Sequence, residues 1–167
     1  MPVFVAGGIG SGEMMAAFLS MGAAGCQLGT RFVCTTECNA HPNFKKAFIH
    51  ANARDAMPTV QIDPRFPVIP VRAITNEGTK RFMEFQMETI QKYQRGEMEL
   101  KDAQMAIENY WGGALRRAVI DGDVENGSLM AGQSVGLVKE EKSVQAVIDE
   151  LVEDAAGALR RLSDIPA

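Results

Sequence analysis

Apolar residues come first as a short continuous block and later at helical intervals, and this change of spacing divides the chain. Residues 2–6 form an apolar run closed by Gly7-Gly8, which predicts a strand buried on both faces and stopped at a tight turn. A helix is expected over residues 12–21. Ser11 stands at its N-cap position, Met14, Met15, Phe18 and Leu19 share a broad apolar face, and Gly22 ends it. A second short strand, residues 25–28, ends at Gly29-Thr30. Strand, helix and strand in so short a span make a compact parallel crossover, which is right-handed in nearly all such folds.

From residue 43 onward the spacing is mainly helical. Residues 43–54 read as a helix. Residues 58–74 hold Pro58, Pro64, Pro67 and Pro70, so their β-branched residues are expected in extended or edge segments and not in a central strand. Helical spacing returns over residues 78–93 through Phe82, Phe85 or Gln86, Ile90 and Tyr93, and Gly96 breaks it. Residues 101–120 carry a wide apolar stripe that includes Ile107, Trp111, Leu115 and Val119, with Gly112-Gly113 as a point where it could split in two. Residues 122–127 are turn-rich and 128–138 read as a short helix. Residues 143–162 form the clearest amphipathic helix, with Val147, Ile148, Leu151 and Ala155 on one side.

One β–α–β unit followed by mainly helical chain cannot cover both faces of a sheet unless further strands come from elsewhere. The expectation is a portion of a larger domain. Residues 1–40 would hold the strands and glycine turns, residues 41–120 a mainly helical insertion with its proline-rich extended segment, and residues 121–167 a loop and closing helices.

Composition narrows the partners. At 167 residues, 46% hydrophobic and 23% charged, the chain matches an ordinary globular domain. Its 17 basic and 21 acidic side chains give a net charge of −4 without a block of like charge, so no nucleic-acid partner is expected. The opening apolar run is too short to span a membrane and lacks the flank and length of a signal peptide. No membrane partner and a cytoplasmic location are therefore expected. Cys26, Cys34 and Cys38 are odd in number and, with no secretory feature beside them, are expected to be reduced thiols.

The strongest chemical signal is the pair of glycine turns. Backbone N–H groups at a glycine turn before a helix bind phosphate, because the donors are unsatisfied and the helix dipole adds positive charge. Gly7-Gly8-Ile9-Gly10-Ser11-Gly12 supplies one such turn, and glycine lets the backbone approach the phosphate oxygens. Gly29-Thr30 ends the next parallel strand, so its N–H groups and the Thr30 hydroxyl would face the same rim as Gly8. In (β/α)8 barrels the loops after the last two strands commonly form one phosphate site.

Three stretches carry a family resemblance: Ala6-Gly7-Gly8-Ile9, then Gly25-Cys26-Gln27-Leu28-Gly29-Thr30-Arg31-Phe32, then the run from Gly122 to Gln133, Gly-Asp-Val-Glu-Asn-Gly-Ser-Leu-Met-Ala-Gly-Gln. Together they closely resemble the C-terminal half of the nitronate monooxygenase (2-nitropropane dioxygenase) family, whose superfamily includes the FMN-dependent enoyl-acyl-carrier-protein reductases. The first stretch is shared by several barrel families, whereas the second and third are specific. The resemblance covers nearly the whole chain. It implies an α/β fold, the C-terminal portion of an FMN-binding TIM (β/α)8 barrel comprising its last two strands, followed by a mainly helical region. It implies FMN as cofactor, its phosphate gripped at Gly8, Gln27, Leu28, Gly29 and Thr30 with Gly7 beside them. It also implies a small-molecule substrate: an alkyl nitronate or nitroalkane oxidised with oxygen or, alternatively, an enoyl thioester reduced with NAD(P)H.

The family's catalytic histidine belongs to barrel segments before the strand that matches residues 3–6, so the resemblance assigns no catalytic residue here. The missing barrel half, or self-association, is then an expected partner. A third reading, of another class, is a catalytically inactive truncated fragment.

Other constellations read as structural. His41-Pro42 looks like a turn before a helix, and His50 is a polar position on that helix. Cys34, Cys38 and His41 lack a fourth zinc ligand at a familiar spacing. Asp121, Asp123 and Glu125 could hold a cation or line a substrate mouth, with solvated loop acids the preferred reading. Met14, Met15 and Met21 are expected as core filling.

Overall fold

The computed structural model describes residues 1–163, so the end of the 121–167 segment lies outside the described residues. In chain order the elements are β1 (Phe4–Ala6), α1 (Gly12–Ser20), β2 (Gly25–Gln27), α2 (Thr30–Val33), α3 (Pro42–His50), β3 (Ala56–Pro58), β4 (Arg72–Ile74), α4 (Glu77–Gln94), α5 (Leu100–Val119), β5 (Leu129–Met130) and α6 (Val144–Ser163), with short 3-10 turns at Ala53–Asp55 and Gln133–Leu137. They form two compact units. Met1–Asn39, Phe48–Ala53 and the described residues from Gly132 onward make the first, and Ala40–Ala47 with Arg54–Ala131 makes the second.

In the first unit β1 and β2 pair in parallel, Phe4 opposite Gly25, Val5 opposite Cys26 and Ala6 opposite Gln27. The helix between them starts and stops on the signals in its sequence. Ser11 Oγ accepts from Met14 N–H at 3.3 Å. Gly22, at φ 95°, closes the other end: its N–H donates to Leu19 O at 3.0 Å and that of Ala23 to Phe18 O at 3.0 Å. These two bonds satisfy carbonyls the helix leaves open.

α1 packs tightly on α6. A Cβ on Gly12 would lie 2.1 Å from Leu151 O and 2.5 Å from Ala155 N, and Ala16, Val147, Leu151 and Ala155 are buried around this contact. Only a residue without a side chain lets the two backbones come so close. The expectation that the first strand is buried on both faces is corrected, because Val3 is 59% and Phe4 65% exposed. Among the described residues β1 has β2 as its sole strand neighbour, so apolar composition alone did not secure cover. Met14 and Met21 are likewise exposed and do not fill a core.

The second unit is built on a three-stranded antiparallel sheet in the order β3-β4-β5. This corrects the expectation that residues 58–74 form extended or edge segments and not a central strand. β4 is the central strand, and it escapes the proline restriction because Pro64, Pro67 and Pro70 all precede it. α4 begins at a reciprocal cap in which Asn76 Oδ1 accepts from Thr79 N–H at 3.0 Å and Thr79 Oγ1 accepts from Asn76 N–H at 3.1 Å. α5 runs unbroken through Gly112-Gly113, because the packing of its apolar stripe outweighs the local cost of two glycines. The core of this unit joins Phe66, Phe82, Ile90, Ile107 and Trp111, with the Phe82 and Trp111 rings stacked at 4.5 Å between centroids. Residues 128–138, expected as a short helix, divide into β5 and the second 3-10 turn, since Leu129 and Met130 pair with Ile74 and Ala73.

No helix among the described residues is long and apolar enough to cross a membrane.

Candidate functional site

The in-register pairing of β1 and β2 brings their C-terminal ends level, so the turns that follow them share one edge of the first unit. Gly7 and Gly8 have φ of 89° and 73°, a left-handed backbone that a side chain resists. A Cβ at Gly7, Gly8 or Gly29 would meet no heavy atom within 4 Å, so the space over these peptides is open. Gln27 ends β2 with its side chain exposed and Leu28 is half-buried. Thr30 opens α2.

A third segment closes on these two turns. Gly132 N–H donates to Thr30 Oγ1 at 2.9 Å, and a Cβ on Gly132 would stand 3.4 Å from that oxygen and 3.5 Å from Gly8 N. Gly8, Thr30 and Gly132 therefore surround one small volume that their lack of bulk keeps clear. Beside Gly8 lies a cleft of about 480 Å³ whose lining includes Met14, Asn52, Gln133 and Ser134. Gly10 fits against the 3-10 turn so closely that a Cβ there would reach Ser134 Cβ at 2.7 Å, which fixes the first glycine turn against the third segment.

None of the residues at these turns ionises, so any attraction they exert on an anion would have to come from backbone N–H dipoles. Arg31, the nearest cation in sequence, is turned to another task. It is 8% exposed, donates to Leu137 O at 3.1 Å and pairs with Glu150 at 2.5 Å. Lys142 Nζ lies 2.7 Å from the other Glu150 oxygen. The Lys142 hydrogen bond, with Arg31 beside it, holds the Glu150 carboxyl below the usual carboxylate range. This triad ties the start of α2 to α6 and so positions Thr30.

The structure brings together Gly7, Gly8, Gly29 and Thr30 from the residues singled out in the sequence, with Gln27 and Leu28 leading into the second turn. It adds Gly132, which stood in the third family stretch but had no assigned role. The signal available was that the Ala-Gly-Gln motif contains a glycine. Its hydrogen bond to a residue 102 positions away was not visible.

The histidines are placed apart from the cradle residues in sequence and environment. In the second unit His41 Nδ1 accepts from Asn43 N–H at 3.1 Å at the start of α3, and its ring fits against Gly122, where a Cβ would reach 2.3 Å from Nδ1. His50 ends α3 with an exposed side chain. Cys26, Cys34 and Cys38 form no disulfide among the described residues, Cys34 being buried, and among the described residues no group of three or more His, Cys, Asp and Glu is placed to hold a metal. Asp123 accepts from Asn126 N–H at 3.0 Å and from its side-chain amide at 2.9 Å. These bonds, the backbone one first, hold its carboxyl below the usual range and close the 122–127 turn.

A parallel β–α–β unit with its polar turns at the carboxyl ends of the strands is the arrangement in which α/β proteins take up ligands. The comparisons with known proteins narrow this class. A nitronate monooxygenase family profile matches residues 1–154, and the chain belongs to that family. It is 31% identical to a probable nitronate monooxygenase of Staphylococcus saprophyticus over 96% of this chain and 40% of that protein. It is 27% identical to the probable nitronate monooxygenase of Bacillus subtilis over 92% of this chain and 40% of that protein. Among solved structures, FabK from Thermotoga maritima superposes with a TM-score of 0.80 at 33% identity, covering 98% of this chain and 47% of that one. The chain thus spans about two fifths of the length of these curated relatives. The family resemblance read from the three sequence stretches is borne out, and so is the α/β class.

Proposed function

We propose that this chain forms the phosphate-binding part of an FMN-dependent oxidoreductase of the nitronate monooxygenase type, acting on small alkyl nitronates or nitroalkanes with oxygen. The observation that carries the reading is the convergence of Gly8, Thr30 and Gly132 on one open volume at the carboxyl ends of two parallel strands. The residues fit a phosphate. Positive-φ glycines present their peptides without side-chain cover, and Thr30 Oγ1, already accepting from Gly132, has its own proton free to donate outward. The N–H groups of Gly8, Gly29 and Thr30 would hold the phosphate, with Gly7, Gln27 and Leu28 shaping the two turns. FMN, when bound, supplies the redox chemistry, and this chain's part is to anchor and orient it. In the same reading β1 and β2 are the last two strands of a (β/α)8 barrel, and the exposed Val3 and Phe4 are surface that other barrel strands would cover.

A second reading, NAD(P)H-dependent reduction of an enoyl thioester through the same flavin, is favoured by the similarity to FabK. The two are separated by nitronate-dependent oxygen uptake without NAD(P)H on one side and enoyl-thioester-dependent NAD(P)H oxidation on the other.

The cofactor part is tested by titrating FMN against the chain and following quenching of flavin fluorescence. Saturable binding is expected, with Gly8→Val and Thr30→Val each weakening it by about tenfold or more, the loss of roughly one charge-assisted hydrogen bond. Absence of saturable binding, or variants that bind as the parent does, would remove the reading and favour an inactive fragment.

A further inference from the structure

We infer that Arg31 is the positioning residue of the glycine-turn site: its guanidinium holds together the three segments that converge there, so the affinity for a phosphate monoester depends on a side chain whose own bonds are made elsewhere. The inference rests on the phosphate reading of these turns and adds to it a residue that the reading did not use.

Arg31 follows Thr30 directly in α2, so what fixes its side chain also fixes the second turn. Its Nη1 donates to Leu137 O at 3.1 Å and its Nη2 to Glu150 Oε1 at 2.5 Å. Leu137 ends the 3-10 turn that begins directly after Gly132, the residue whose N–H donates to Thr30 Oγ1. The second turn and the third segment are thus joined by two bonds, one at each end of that 3-10 turn. The first turn meets the same residue, because a Cβ on Gly10 would lie 2.8 Å from Leu137 Cδ1. All three segments therefore come together at Leu137, and Arg31 binds its carbonyl.

The anchor on the other side is itself fixed. The second oxygen of Glu150 accepts from Lys142 Nζ at 2.7 Å. The Lys142 backbone is tied to the exit of α2, its N–H donating to Cys34 O at 3.2 Å and its carbonyl accepting from Thr36 N–H at 2.9 Å. The Arg31 side chain is 8% exposed, where water competes little for its bonds. A planar fork serves two acceptors at once, whereas a lysine ammonium, a point charge on a flexible stem, would keep Glu150 and release Leu137. None of these bonds uses the N–H groups of Gly8, Gly29 and Thr30 or the Thr30 hydroxyl proton. Arg31 acts through Thr30 and Gly132 and leaves the donors for the phosphate uncommitted.

The test is FMN binding to the chain, followed by quenching of flavin fluorescence, with thermal unfolding of each variant beside it. Arg31→Ala is expected to weaken FMN binding about tenfold, since a site loosened at its support loses affinity without losing a contact. Free guanidinium chloride, far below concentrations that unfold the parent, is expected to restore most of that loss by entering the cleft of about 170 Å³ lined by Leu137, Lys142 and Glu150; sodium chloride at equal concentration is not. Arg31→Lys keeps the ion pair and is expected to bind about threefold more weakly than the parent; it carries the decision should Arg31→Ala not fold. Asn76→Ala, which removes the cap of α4 in the second unit, is expected to bind FMN as the parent does. A folded Arg31→Ala or Arg31→Lys chain with the parent's affinity overturns the inference and leaves the phosphate reading standing. A loss that guanidinium fails to reverse, or that Asn76→Ala shares, overturns it as well. Absence of saturable binding in the parent removes the phosphate reading and the inference together.

Discussion

Gly12→Ala and Gly112→Ala make the same chemical change inside two helices and are expected to shift stability in opposite directions. At Gly12 the new Cβ would lie 2.1 Å from Leu151 O, 2.5 Å from Ala155 N and 2.6 Å from Asp154 Cβ. Restoring ordinary contacts of about 3.5 Å requires α1 and α6 to separate by about 1 Å or more. Overpacking of this kind costs about 1–3 kcal/mol, and the upper end applies because two of the three atoms are backbone of α6 and cannot rotate away. Alanine recovers at most about 1 kcal/mol of helix propensity, so the net loss is about 2 kcal/mol. At roughly 2–4 °C per kcal/mol for a chain of this size, the melting temperature is expected to fall by about 4–8 °C. At Gly112 no atom is displaced, only the propensity term remains, and a gain of about 0.8–1 kcal/mol raises the melting temperature by about 2–4 °C. Thermal and urea unfolding followed by far-ultraviolet ellipticity measure both. A Gly12→Ala chain as stable as the parent, or a Gly112→Ala chain less stable than it, would show that the helix contacts described here do not set the cost.

Two further outcomes follow from polar contacts. Glu150 is held below the usual carboxylate range by Lys142 and Arg31, so its contribution is present above its ordinary value of 4.5 and is lost as pH falls through the lower folded value. Glu150→Gln is therefore expected to be less stable than the parent at neutral pH, with the gap narrowing below about pH 4.5 in melting curves; a gap that widens in acid would contradict the triad. Asn76 caps α4 and also donates to Val124 O at 2.7 Å and Gly127 O at 2.8 Å. Asn76→Ala should cost about 2–3 kcal/mol in urea unfolding, one cap and two hydrogen bonds at about 1 kcal/mol each. Asn76→Asp, which keeps the cap acceptor and loses the two donors, should fall between, and equal stability of all three chains would remove this clamp from the account.

The features legible in the sequence were those decided by neighbours along the chain. Ser11 and Gly22 bounded α1 because a cap and a left-handed glycine act within a turn of the helix. The glycine turns at Gly7-Gly8 and Gly29-Thr30 were readable for the same reason, and the specific stretches around them carried the family. Tertiary structure decided what depends on residues far apart. Leu129 and Met130 became a strand because Ile74 and Ala73 offered an open edge, and α5 stayed whole across Gly112-Gly113 because its stripe had a core to pack on. Phe4 is apolar yet exposed, because cover comes from a neighbouring strand and not from the residue itself. The cradle shows the same division. Its two turns are local, whereas the hydrogen bond from Gly132 that completes it exists only once the chain returns to Thr30, and no pattern of spacing along the sequence encodes that distance.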